Sequence, residues 1–176
     1  NLAAGESRLF SMNSMFDPDV SGAGGQPSGF DQMALMYNNY QVYGCSIEAT
    51  FSNGQSGAVG ISEALVATSN TNVVGAWDQY EDQAGTKRRM ITALGSSGSV
   101  RKIRMFRRVR RVLGLNRKQF GDANYGPLVS ANPATQAYWV IYVRPFDRTT
   151  APTITGSVKL TYYAKFYRPK RVPADA

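Results

Sequence analysis

Between Val100 and Gly114 the chain reads VRKIRMFRRVRRVLG, which holds Arg101, Lys102, Arg104, Arg107, Arg108, Arg110 and Arg111 and no acid. Lys87, Arg88 and Arg89 precede this block, and Arg117 and Lys118 follow it. The chemistry such a set can do is anion binding. A guanidinium is a planar fork that meets two phosphate oxygens at once, and nine of the twelve cations in residues 87–118 are arginine. Each phosphate neutralised releases counterions, so affinity for a polyanion would fall steeply with salt. No aromatic series interleaves the charges, so the pattern suits backbone contact without base reading. With no acid in the block, neutralisation within it is impossible. The partner is then a polyanion, or an acidic surface on a neighbouring copy. Residues 1–86 carry a net −8, residues 87–118 a net +12 and residues 119–176 a net +4, an asymmetry that fits either partner.

Other chemistries find little support. The chain has no histidine, hence no common general base and no imidazole metal ligand. Its one cysteine, Cys45, allows no internal disulfide and reads as a small core residue. Asp17-Pro18-Asp19-Val20-Ser21-Gly22 begins like a calcium loop. Ser28 stands where the closing bidentate Glu belongs, so the stretch reads as a turn whose acids accept backbone N–H bonds. Gly22-Ala23-Gly24 leads to Pro27, which does not fit a dinucleotide fingerprint. Glu81-Asp82 is an adjacent acid pair of the kind that is usually just solvated. No catalytic residue, cofactor or metal is expected, and the chain is expected not to be an enzyme.

The elements that must position the basic block are mostly strands. Val158, Leu160, Tyr162, Ala164 and Phe166 alternate with polar and aromatic residues until Pro169 stops the run. Tyr43, Cys45, Ile47, Ala49 and Phe51 alternate in the same way before the turn signal Asn53-Gly54. Tyr138 to Val143 is apolar on both faces, as in a strand covered on both sides. A short helix is expected from Phe30 to Tyr37, capped by Asp31 and stapled by Phe30 on Leu35. Within the basic block, Ile103 and Met105 alternate with Lys102 and Arg104. Phe106 breaks that parity, and a bulge would restore it. A helical stripe is the weaker reading. The turn-rich pieces 21–29, 95–98 and 122–136 suit a sandwich with elaborate loops. No run of about 18 apolar residues occurs, so no membrane insertion is expected. The opening NLAAGESRLF lacks the regions of a signal peptide.

One segment adds a family resemblance. Residues 16–47 carry Asp17-Pro18, a glycine turn with Gly24, then Gln26, Pro27, Gly29, Phe30, Asp31 and Gln32, then Tyr37, Tyr40, Val42 and Gly44. This resembles the signature of capsid proteins of circovirus-like, Rep-encoding single-stranded DNA viruses. Leu113-Gly114, Asn132-Pro133 and the aromatic pair Tyr138-Trp139 agree with it in order. The resemblance implies an all-β fold: a single eight-stranded jelly-roll sandwich with long loops and one or two short helices, spanning 1–176. It implies a homo-oligomeric capsid shell, most simply sixty copies, around a single-stranded DNA genome, in the virion and with passage through the host nucleus. The family's arginine-rich arm precedes the jelly roll. This sequence begins at Asn1 without one, so the arm is expected to have been removed or left out. A host-cell receptor or sulfated glycan is a further partner that no residue here places. Two rival readings are a non-assembling nucleic-acid-binding β-domain and a carbohydrate- or receptor-binding β-sandwich. The second would use a concave site built from Trp77, Tyr80 or Trp139.

Overall fold

The structure is a computed structural model that describes residues 6–22, 24–54, 60–69, 85–93, 97–147 and 154–171. Period-two patterning becomes seven strands among the described residues: β1 (Glu6–Ser11), β2 (Tyr37–Asn53), β3 (Ile61–Thr68), β4 (Lys87–Ile91), β5 (Val100–Arg108), β6 (Tyr138–Pro145) and β7 (Ile154–Pro169). Every pairing is antiparallel. One sheet has the order β1-β6-β3-β4 and the other β5-β2-β7. The chain repeatedly crosses between the sheets, as in a double-sheet jelly roll. The described strands divide four and three, one fewer than the eight expected. β7 is hydrogen-bonded on one side only among the described residues, so its inward side chains Val158, Leu160 and Tyr162 stay half-exposed.

The core lies between the sheets. Ile61, Leu65, Ile91, Trp139, Ile141 and Val143 face Tyr40, Val42, Cys45, Ile47, Ala49, Ile103 and Met105. β6 is buried on both faces from Tyr138 to Val143, as its unbroken apolar run predicts. Trp139 is fully buried and donates its indole N–H to Cys45 Sγ at 3.3 Å. Burial pushes the Cys45 thiol up to about 12, which makes it a packing residue rather than a nucleophile. A fully buried Trp139 cannot belong to a concave sugar site, which corrects that expectation. Trp77, Tyr80, Glu81 and Asp82 lie outside the described residues.

The motif residues of segment 16–47 brace loops against this core. Gly29 caps α1 (Phe30–Met36) at φ 83°, a left-handed conformation that disfavours side chains with a Cβ. Asp31 sits in the first turn and does not cap it, because the chain enters the helix through that glycine. The expected staple is also absent. Leu35 is 76% exposed, while Phe30 turns inward onto Tyr40 and Phe166, 5.5 and 6.0 Å away by ring centroids. Tyr37 packs 6.1 Å from Phe166. Tyr40 donates its hydroxyl to Ala131 O at 3.1 Å, and Gln26 donates to Phe16 O at 3.1 Å. Asn13 ties the loop after β1 to the one before β6, donating to Thr135 O and accepting from Ala137 N, each at 2.9 Å. Asp19 accepts from Ser21 N at 3.0 Å and from its hydroxyl, so the calcium-like stretch works as a turn.

Candidate nucleic-acid interface

The basic block resolves into a strand followed by a helical turn. β5 runs to Arg108, and α2 (Val109–Val112) follows, its end sealed by Gly114 at φ 69°. Phe106 does not break the parity, and β5 pairs with β2 in unbroken register from Gly44↔Arg108 to Ser52↔Val100. The irregularity lies in β2 instead, between Val42 and Gly44. That bulge turns Tyr43 out to 52% exposure, away from the buried Cys45, Ile47 and Ala49 whose face it was expected to share. Phe106 points outward and lies over Gly44, where an added Cβ would come within 2.9 Å of its ring. The side chain covers the glycine's bare backbone, which explains why an apolar residue occupies an outward position.

The sequence-selected cations reach different places. Lys102, Arg104 and Arg108 project from the outer face of the three-stranded sheet with Lys159 and Lys165 of β7. Arg88, Arg89, Arg101 and Lys102 line a cleft of about 810 Å³ between β4 and β5, together with Met90, Val100 and Phe146. Lys87 and Arg107 are tethered. Lys87 Nζ donates to Arg104 O at 2.8 Å, and Arg107 donates to Gly85 O and Phe106 O, each at 3.1 Å. Arg110 is half-buried and Arg111 exposed on α2, whereas Arg117 and Lys118 are exposed on α3 (Arg117–Phe120). The twelve residues therefore form a cleft, a sheet face and a helical rim rather than one surface.

Residues 117–128 cover one end of the outer face. Gln41 donates to Phe120 O at 2.5 Å, Asn39 to Gly126 O and Pro127 O, and Tyr167 to Gly126 O. Asn116 and Gln119 cap α3 reciprocally, which fixes that lid. The uncovered part of the face carries Tyr43, Phe106 and Tyr163, with Phe106 and Tyr163 at 47% and 43% exposure. Phe106 meets Tyr163 edge-on at 5.5 Å, and Tyr43 lies 6.5 Å from Tyr163. Sequence reasoning missed this cluster because its three rings come from three strands. Only the register that sets Gly44 opposite both Arg108 and Tyr163 brings them together.

Glu48 is the carboxylate on this face, paired with Lys102 and, at 2.5 Å, with Arg104. Neutralisation thus comes partly from the adjacent strand of the same chain. The Lys102 hydrogen bond, helped by Arg104, holds the Glu48 carboxyl below its usual range. A depressed carboxyl adds its stabilisation above its unfolded value and loses it as pH falls through the folded one. Acidification therefore frees two cations. We expect heparin affinity, read by fluorescence anisotropy at fixed salt, to hold level from pH 7 to about 4 and to rise only below the ordinary Glu value of about 4.3, where the depressed carboxyl finally protonates. Glu48→Gln should show a several-fold higher affinity already at neutral pH and a flatter pH dependence. Equal curves for both proteins would show that Glu48 does not gate this face.

No family model and no curated protein matches the chain. Solved structures do. The chain is similar to that of a semi-empty VLP of the giant freshwater prawn Macrobrachium rosenbergii nodavirus, at 13% identity and TM-score 0.50, over 95% of this chain and 74% of that one. It is also similar to Cocksfoot mottle virus at 10% identity and TM-score 0.49, over 97% and 88% of the two chains. A third is the T=1 subviral particle of a Penaeus vannamei nodavirus capsid protein deletion mutant, at 10% identity and TM-score 0.42, over 94% and 96%. The first likeness, with the strand order, shows the fold: an all-β jelly-roll sandwich.

Proposed function

We propose that this chain is a viral capsid protein that closes into a small icosahedral shell, most simply of sixty copies, around a single-stranded DNA genome. The observation that carries the reading is a jelly-roll sandwich with one sheet face holding Lys102, Arg104, Arg108, Lys159 and Lys165 against Glu48. The sequence signature at 16–47 supports the capsid class and the DNA genome. The fold shared with the prawn nodavirus VLP supports assembly. The charge divides the work. The outer sheet face and the β4–β5 cleft contact packaged phosphates without reading bases. Exposed apolar residues elsewhere, such as Leu35, Met36 and Leu128, offer contacts between copies. Opposite charge on other parts of the chain suits head-to-tail packing around symmetry axes.

The test is negative-stain electron microscopy of purified protein, with sedimentation and an absorbance ratio for bound nucleic acid. Uniform small particles containing nuclease-protected DNA are the expected result. A protein that stays monomeric or dimeric across salt and concentration would overturn the reading in favour of a free binding module.

A further inference from the structure

We infer that the uncovered face of the three-stranded sheet is a base-stacking platform for single-stranded nucleic acid, centred on Tyr43, Phe106 and Tyr163. The inference rests on the reading of this face as the one that meets packaged nucleic acid, and it adds the unpaired base as a recognised group. Three observations carry it. The three rings are each about half exposed, and Tyr43 and Phe106 both lie within 6.5 Å of Tyr163. Arg104–Glu48–Lys159 is the row beside Phe106, Arg108 shares the row of Tyr163, and Lys165 lies beyond it, so cations flank the rings along the strand direction. The rings share one sheet face, and among the described residues no helix or ribbon stands up from this patch to enter a groove. Rings set among cations are how single strands are held without base preference, since every base has a stackable face while the phosphates track the charges. A duplex offers only its end pairs for stacking, and reading it by groove needs a protruding element.

A second copy docked through the same face is the competing occupant. It would press a net positive surface against itself, with Glu48 already engaged by Lys102 and Arg104. A polyanion that also carries flat apolar rings meets both the charge and the aromatics. Tyr43 is exposed because β2 bulges just there, and Phe106 is outward because Gly44 beneath it leaves room. Two local irregularities thus converge on one patch.

The test compares a fluorescein-labelled oligothymidylate, the same length of duplex, and heparin, each titrated with full-chain protein at several salt concentrations. Tyr43→Ala with Tyr163→Ala is expected to weaken oligothymidylate binding on the order of tenfold or more. The slope of affinity against salt should stay unchanged, because no phosphate contact is removed. Heparin, which has charge and no bases, should bind as before. Tyr163→Phe should retain wild-type binding, and quenching of wild-type tyrosine fluorescence by the oligothymidylate gives a readout free of any folding defect. Equal loss for heparin and oligothymidylate, no loss for either, or no quenching overturns the platform. Dimer dissociation in the double variant would identify a second copy as the occupant and overturn it as well. Particle imaging of the wild type judges the capsid reading separately, since shells can form whether or not these rings stack on bases.

Discussion

Replacing Lys102, Arg104, Arg108 and Lys159 together by glutamate is expected to cost at least two orders of magnitude in affinity for single-stranded DNA near 0.1 M salt. The slope of log affinity against log salt should shrink by about 3, from roughly 0.7 per lost phosphate contact on a single strand. All four side chains are exposed on the outer sheet face, so no core contact is lost. Glu48 would lose both partners and gain like-charged neighbours. In open solvent that repulsion is weak and screened by salt. The set is a cleaner probe than one containing Arg107, whose guanidinium holds Gly85 O, so that reversal would also release a loop. Reversing Arg117 and Lys118, on α3 of the lid, provides the contrast, with a smaller change in slope. Circular dichroism and the thermal midpoint check that the sheets persist. An unchanged salt slope in the fourfold variant would show that this face meets no polyanion, and attention would move to the β4–β5 cleft.

Much of the sandwich is legible in sequence because burial imposes parity. Val158 to Phe166 alternate and do form a strand, Pro169 ends it, and Tyr138 to Val143 are buried on both faces as an unbroken apolar run requires. The same rule misplaces Tyr43, because a single bulge reverses every side chain beyond it and nothing in YQVYGCS marks where it falls. Phe106 misleads for a related reason. An aromatic at a polar parity position reads as a slip, yet it is the cover for a glycine on another strand. The helix signal around Phe30 is sound, whereas its cap is not, because Gly29 adopts the left-handed conformation and leaves Asp31 no orphan N–H to accept at that point. Charge shows the sharper limit. VRKIRMFRRVRRVLG displays its cations plainly. Their only described partner acid, Glu48, and the aromatic rings that flank them arrive from β2 and β7, at sequence separations no periodicity spans.

Trp139→Ala is expected to destabilise the fold by roughly 3–5 kcal/mol. Domains of this size are held by only about 5–15 kcal/mol, so one such loss can leave much of the protein unfolded near its working temperature. The indole is the largest fully buried side chain among the described residues, set mid-sheet on β6 between β1 and β3, where it fills the space opposite Cys45. Collapse around the cavity is restrained because Tyr138, Val140 and Tyr142 bury the other face of the same strand. Trp139→Phe separates packing from hydrogen bonding. It keeps a ring, loses the N–H donated to Cys45 Sγ, and should cost well under half as much. Guanidinium titration with an unchanged slope measures both losses. Cys45 supplies an independent clock in the same samples. Its thiol is buried and held far from thiolate formation, so disulfide exchange with an aromatic reagent proceeds only through opened molecules. Its rate should rise with the fraction unfolded, most in Trp139→Ala and little in Trp139→Phe. A loss below 1 kcal/mol, or rapid labelling of Cys45 in the wild type, would contradict the packing of the two sheets at their centre. Without that packing, β2 would no longer hold Gly44 and Glu48 in register beneath the cations of β5.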